Sequence, residues 1–383
     1  MLSRLGQGQA TEIRTPQGFG WARQNNTKPV NQYTLFYTGS TTKSFTAAAM
    51  SQIVDDNDKF PHVQWDTPIS SLMRDDFVLS DPYATEHITI RDALSHRTGY
   101  PLHDFITWRD PQAATRGLRN LPMTAEPRAK YQYSNQLVTA VGYLITKLYY
   151  PSEGYRSYRG LLGYIFQGKL WQRMGLVATY LSTSSLGGPI YYPATLADEL
   201  WYHNDSDSHV VVPHAAHDGH EGAGMVISCV ADYARYLRTM MSPKGGPISA
   251  AGKAAMKAPQ MVMSPSSPFF TGPVYYGMGW AGSVLEGEEV WFHNGQMREH
   301  RTEMWMIPAR GFAVTIMANA DTPAIEIVLW KILYDYFDVP ESRRVDVEKR
   351  FVAWFQYSPS SLFSRDTGGK KNRVLGGIST QKS

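Results

Sequence analysis

Strand-like segments at both ends of the chain enclose a long helical middle, and this ordering restricts the fold more than any other feature. Residues Ala10–Ala22 and Tyr33–Thr38 carry strand patterns, separated by the turn-rich run Gln24–Pro29. Strand patterns return at Val274–Gly279, Glu289–His293, Thr302–Ile307 and Phe312–Met317, the last two joined by the tight turn Pro308–Gly311. Between them, from Phe60 to about Ala215, helices alternate with long loops bearing Pro and Gly. The clearest helix is Asn135–Tyr149, with Val138, Val141, Leu144, Ile145 and Leu148 on one side. Another spans Ala231–Met241, with Ser228 as the expected N-cap, and a last helix follows Asp321, Thr322 and Pro323. The pattern predicts an α+β fold, an antiparallel sheet flanked by helices with an inserted all-α subdomain. The expected division is a discontinuous α/β part, residues 1–59 and 216–357, around a helical part, 60–215. A polar, basic tail at 358–383 is expected to be disordered.

Bulk properties exclude several classes of function. A chain of 383 residues with 43% apolar and 13% aromatic residues can bury a large core. The formal charge of +3, with no basic run interleaved with aromatics, gives no reason to expect a nucleic-acid partner. The single cysteine, Cys229, permits no intrachain disulfide, which fits a reducing, cytoplasmic compartment without requiring one. No apolar run is long enough to span a bilayer, and Met1–Gln9 lacks the apolar core of a secretory signal.

The chemistry concentrates at Ser40-Thr41-Thr42-Lys43, where an extended segment passes into a helix. The backbone N–H of a serine in a helix's first turn is unpaired and available to an anion. A lysine three residues later lies on the same face and can activate the hydroxyl, which is a poor nucleophile at neutral pH. Alone, S-x-x-K is more often an ordinary helix cap. Two further triplets alter that balance: Tyr133-Ser134-Asn135, just before a helix, and His293-Asn294-Gly295, near the end of a strand, where a small residue admits a substrate to the backbone.

With these motifs in this order the chain resembles the serine β-lactamase and penicillin-binding-protein superfamily, in its class C β-lactamase-related branch. That branch also includes esterases, D-amino-acid peptidases and acyltransferases. The resemblance runs from Glu12 to Phe337 and is carried further by Thr34–Lys43, Ile88–Gly99, Gly222–Met225 and Tyr276–Trp280. It implies that Ser40 attacks a carbonyl and carries the acyl group, and that Tyr133 takes the serine proton with Lys43 beside it. A Lys43 ammonium could stabilise a Tyr133 phenolate, but a neutral amine beside a neutral phenol is the alternative, because the pair titrates as a unit. It further implies an oxyanion hole from the N–H groups of Ser40 and Gln296, and an Asn135 that holds Lys43 and a substrate oxygen.

The expected substrate is a small ester, amide or peptide-like molecule, hydrolysed through an acyl-enzyme. Transfer of the acyl group to an alcohol or amine, or a catalytically inactive scaffold, are the alternatives.

Position 293 departs from the family pattern, since the β-lactamases and transpeptidases carry lysine there. Histidine, mostly neutral above about pH 6.5, suits a substrate carboxylate less well. If it did anchor a carboxylate as imidazolium, binding would weaken between about pH 6 and 8. The run Gln296–Arg301 sets bulky, charged residues where the family has a small turn. Relatives also begin with a helix and a complete strand, of which Met1–Leu5 is read as the remnant, so a truncated or altered sheet edge is expected.

Two other patterns carry little. His214, His217 and His220 have metal-like spacing, but Pro213, Gly219 and Gly222 make the segment a loop, and no metal is expected. Gly163–Lys169 outlines a phosphate loop, but Leu170 replaces its Ser/Thr and a helix fits better. No cofactor is expected.

Overall fold

The computed structural model describes residues 16–350, apart from 26, 105–109, 152–160, 182–195, 204–207 and 215–218. The expected first-strand remnant, residues 10–15, His217 and everything beyond 350 lie outside the described residues. The chain forms two compact units, Met1–Ile325 and Glu326–Ser383.

In the first unit, strand β1 (Phe36–Tyr37) leads through a 3-10 turn (Gly39–Thr41) into helix α1 (Thr42–Asp55). Short helices α2 (Ile69–Met73), α3 (Pro82–His87), α4 (Ile90–Leu94) and α5 (Pro111–Gly117) precede the long α6 (Asn135–Tyr149). Helix α7 (Leu161–Phe166) continues through a π-turn, Gln167–Trp171, so the stretch outlining a phosphate loop is helical. Then come β2 (Tyr180–Leu181), β3 (Glu199–His203), β4 (Ser208–Val212), α8 (Glu221–Gly224), β5 (Val226–Ser228), α9 (Val230–Met241) and α10 (Ala250–Lys257). Strands β6 (Met261–Ser264), β7 (Val274–Tyr276), β8 (Ala281–Leu285), β9 (Glu288–Met297), β10 (His300–Ile307) and β11 (Phe312–Ala318) complete it.

The last six strands form one antiparallel sheet in the order β11-β10-β9-β8-β7-β6. The segments β1, β5 and β2 make a small sheet of their own, and β3 pairs with β4. Every residue of β10 is buried, so it is a central strand with both faces covered. Helix α9 packs on β10 and β11.

Helix α1 is almost entirely buried, with α6, α8 and α10 around it. Its Ala47-Ala48-Ala49 run lets neighbours approach from several sides, so the helix is buried nearly all round although Thr42, Lys43, Ser44, Thr46 and Ser51 are polar. Phe45 sits edge-on to Trp171 and Tyr233 and lies against Tyr236, joining α1 to α9 and the π-turn.

The mixed α+β architecture with an antiparallel sheet matches the expectation, and α6 has the expected bounds. Several local expectations are corrected. Pro16–Ala22 is not a strand, since only Trp21 makes an isolated bridge, to Pro29. Helix α9 begins after Cys229, while Ser228 is a strand residue whose hydroxyl meets Thr179 at 2.7 Å. Strand β7 ends at Tyr276 because Gly277 turns back to bond the Trp280 carbonyl. The stretch read as wholly helical also contains β2 and the β3–β4 hairpin.

The second unit contains most of helix α11 (Ala324–Tyr336) and a 3-10 turn at Glu341–Arg343. Asp335 pairs with both Lys331 and Arg344 there, and the Val345 N–H donates to the Tyr334 hydroxyl.

One buried ion cluster ties the helical region together. Asp92 caps α4 reciprocally with Thr89, and its fully buried carboxylate takes Arg97 at 2.6 Å and Arg128 at 2.8 Å. Burial works to raise its pKa, but Arg128, the Thr89 N–H and Arg97 hold it below the usual range. Asp92→Ala would leave both guanidiniums facing a void, and should destabilise the protein by about 3 kcal/mol or more. Urea denaturation of this variant beside Arg128→Ala, whose guanidinium is half exposed, should show the larger loss for Asp92→Ala.

Candidate active site

The first turn of α1 presents Ser40 and Lys43 on one face, and Lys43 Nζ lies 3.1 Å from Ser40 Oγ. The amine is fully buried and donates also to Asn135 Oδ1 at 2.6 Å and to the Ala223 carbonyl at 2.8 Å. Three oxygens therefore match the three donors of the protonated amino group, each brought by a different element; when the proton is lost, the lone pair can turn to Ser40 Oγ. Asn135 opens α6, and Ala223 lies in α8, whose glycines allow it to pass close to α6.

Tyr133 precedes α6 and hydrogen-bonds Ser40 through its hydroxyl. Its ring lies under Lys43 Nζ, 4.6 Å from the centroid. The Tyr133 segment is fixed by His96: the Gln132 N–H donates to the His96 carbonyl at 2.8 Å, and the Ser134 N–H to His96 Nδ1 at 3.1 Å. The His96 ring then packs against Tyr133, with centroids 4.2 Å apart.

Strand β9 supplies the opposite wall and passes unusually near the serine. A Cβ on Gly295 would stand 1.9 Å from the Thr38 carbonyl oxygen and 3.1 Å from Ser40 N. A Cβ on Gly39, which has φ of +54°, would stand 2.5 Å from Gln296 N. Only paired glycines permit this approach, which brings the backbone nitrogens of Ser40 and Gln296 to one side of the serine. The strand runs four residues beyond its expected end, through Gln296 to Met297.

The charges after Gly295 are not loose at the mouth. His300 is fully buried and accepts the Tyr37 N–H at 2.8 Å. Arg301 pairs with Asp321, and Arg298 reaches Glu199 at 3.2 Å and the Pro213 carbonyl at 2.7 Å. His214 is likewise engaged by Glu199, at 2.8 Å, and among the described residues no metal-ligating cluster forms.

The Beta-lactamase family's sequence model matches residues 11–332. The chain belongs to that family. It is 35% identical over 350 residues to unguisins hydrolase ungD' of Aspergillus campestris, aligning 89% of its own length. It is 36% identical over 361 residues to unguisins hydrolase ungD of Aspergillus violaceofuscus, aligning 88%. The chain spans 62% of the length of each of these relatives. The octameric penicillin-binding protein homologue from Pyrococcus abyssi shares the fold, with a TM-score of 0.66 at 19% identity over 81% of this chain and 69% of that one.

Electrostatics shift the balance of protonation states at the site. Burial lowers the Lys43 pKa to about 7, against a smaller upward pull from Asp104. Burial raises the Tyr133 phenol above its ordinary value, opposed by the Ser40 hydrogen bond. Both shifts favour a neutral amine beside a neutral phenol over the ammonium–phenolate pair. Burial and the Lys43 charge push His293 down to about 3, so it is a neutral imidazole between pH 6 and 8 and not an ionised anchor.

All seven residues singled out in the sequence, Ser40, Lys43, Tyr133, Asn135, His293, Gly295 and Gln296, come together on these elements. Sequence reading did not single out His96, Tyr276, Asp104 or the Ala223 carbonyl. Three of them fall in stretches that carry the family resemblance, which was the available signal; Asp104 falls in none.

Gly295→Ala should displace β9 from the serine. A folded protein is expected, with labelling of Ser40 by a fluorophosphonate slowed by about 100-fold, the scale of one lost oxyanion donor. Circular dichroism and intact mass check the two halves of that expectation.

Proposed function

We propose that this protein is a serine hydrolase that cleaves an ester or amide through an acyl-enzyme on Ser40. The observation that carries this reading is the buried Lys43 amine, 3.1 Å from Ser40 Oγ and held near neutral pKa. A permanently charged lysine would have no lone pair to offer. One with a pKa of about 7 is substantially an amine at neutral pH and can accept the serine proton.

In the proposed sequence, Ser40 Oγ bonds to the substrate carbonyl carbon as its proton passes to Lys43 Nζ. Tyr133, hydrogen-bonded to the same oxygen, relays that proton between the amine and the leaving group. The carbonyl oxygen, now negative, takes hydrogen bonds from the Ser40 and Gln296 N–H groups. Collapse breaks the bond to the leaving amine or alcohol, which departs with the proton. Water then attacks the acyl-enzyme by the same route in reverse, with Lys43 and Tyr133 accepting its proton, and frees the acid. Asn135 keeps the amine aimed at Ser40 by accepting from it through Oδ1 while its amide N–H is held by Asp104. The family membership and the unguisins hydrolases among its relatives support hydrolysis as the outcome.

Incubation with a fluorophosphonate should give one covalent adduct by intact mass, abolished in Ser40→Ala; labelling that survives this substitution would refute the assignment. The pH dependence follows from the lysine. Lys43 is the base only when deprotonated, so the acylation rate should rise from acid pH and level off above about 7. Lys43→Arg, which stays charged throughout, should lose that rise and most of the activity.

A further inference from the structure

Three groups near Lys43 and along the oxyanion strand bear on what the substrate carries beside its reacting carbonyl. The first is His293. Its Nδ1 donates to the Asn294 carbonyl at 2.5 Å, because a carbonyl can only accept, and its Nε2 therefore accepts the Tyr276 hydroxyl at 2.9 Å. Both nitrogens are engaged within the protein, and the ring is buried. No N–H of this histidine is left for a carboxylate.

The second is Asp104, an exposed carboxylate that accepts the Asn135 amide N–H at 2.8 Å. Its place is built into the fold. The buried Gln136 side chain, on the first turn of α6, donates to the neighbouring His103 carbonyl at 2.8 Å. The same asparagine holds Lys43, so a negative charge sits two hydrogen bonds from the reacting serine's partner.

The third is the pair of arginines after the oxyanion strand. Arg298 is committed to Glu199 and Arg301 to Asp321. The Gln296 side chain also donates to Asp321, at 3.0 Å.

We infer that the site selects acyl donors with no free carboxylate beside the scissile bond, which means an uncharged, chain-internal amide or ester. The inference rests on the reading of Ser40 as nucleophile. A carboxylate brought here would be stripped of water beside an amine that loses its charge near pH 7, with Arg298 and Arg301 already paired, and would meet Asp104. A neutral peptide-like segment meets neither cost.

The groups that face Lys43 and set its charge are Ser40, Tyr133, Asn135, Asp104, His96 and His293. Burial holds His96 and His293 neutral and the Tyr133 phenol protonated, so between about pH 6 and 8 the charge that changes is the lysine's own. The selectivity should therefore persist above the lysine's titration and not fade with it.

Two fluorophosphonates of equal chain length test this, one with a tail ending in a carboxamide and one in a carboxylate. Rates of Ser40 labelling are read by intact mass at pH 8. The carboxamide probe is expected to label at least about tenfold faster, the scale of one charge-assisted hydrogen bond. His293→Lys should narrow that ratio by speeding the carboxylate probe relative to the carboxamide probe, and Asp104→Asn, at an exposed position, should narrow it in the same direction. Equal rates, or a faster carboxylate probe, with Ser40 labelled normally would overturn this inference and leave the serine reading intact. Failure of both probes to label Ser40 would overturn the serine reading and this inference with it.

Discussion

A lysine amine with no access to water, shared among Ser40, Asn135 and Ala223, is the interaction on which the site depends. A buried ammonium is expensive, and the protein meets that cost in two ways. It supplies an oxygen for every donor, and it lowers the amine's proton affinity so that the charge can be lost. The first requirement dictates architecture. It obliges α1, α6 and α8 to meet at one point, and α1 becomes a helix buried on nearly every side. The second turns a structural cost into a chemical property, because an amine that sheds its proton near neutrality can take one from a serine.

Close backbone approach is the complementary constraint. Strand β9 runs past the 3-10 turn with Gly39 against the Gln296 backbone and Gly295 against Thr38 and Ser40, an approach that a side chain at either position would block. The strand's far end is pinned by ionic contacts rather than by packing alone: Gln296 and Arg301 to Asp321, Arg298 to Glu199. The bulky residues that replace the family's small turn thus act as fasteners for the strand that carries Gln296. Asp92 does similar work on the other side of the site. It anchors Arg97 and Arg128, whose segments meet again where the Arg128 N–H donates to the Arg97 carbonyl and where His96 holds the segment around Tyr133.

What was legible in the sequence follows from where the information resides. Helix α6 was readable to its bounds because five apolar residues at helical spacing all face inward. Strands β9 to β11 were readable from their aromatic and branched residues, though β9 was cut short because Asn294-Gly295-Gln296 resembles a turn and is held extended only by its pairing with β10. Strand β8 was missed because Ala281, Gly282 and Ser283 must be small to pass beneath Tyr275 and Trp291, a tertiary demand with no local signature. The residues proposed as nucleophile, base and oxyanion donors stood out as motifs since each sits at the junction of two elements. Ala223 could not stand out in the same way, because it contributes a carbonyl that any residue type possesses. Asp104 belongs to no motif, and only the folding of its loop onto α6 gives it a role.

Position 293 shows how these constraints interlock. Two cations in one dry site would repel each other, so a permanent cation at 293 would press the Lys43 pKa below the value that burial alone sets. The histidine found there is neutral, satisfied by Tyr276 and Asn294, and adds no such pressure. Asp104 acts the other way and lifts the amine's proton affinity. The lysine is thus balanced between burial, which discharges it, and a single exposed carboxylate, which keeps it basic enough to accept a proton. A neutral residue at 293 thus leaves that balance undisturbed, because it adds no second positive charge beside the amine.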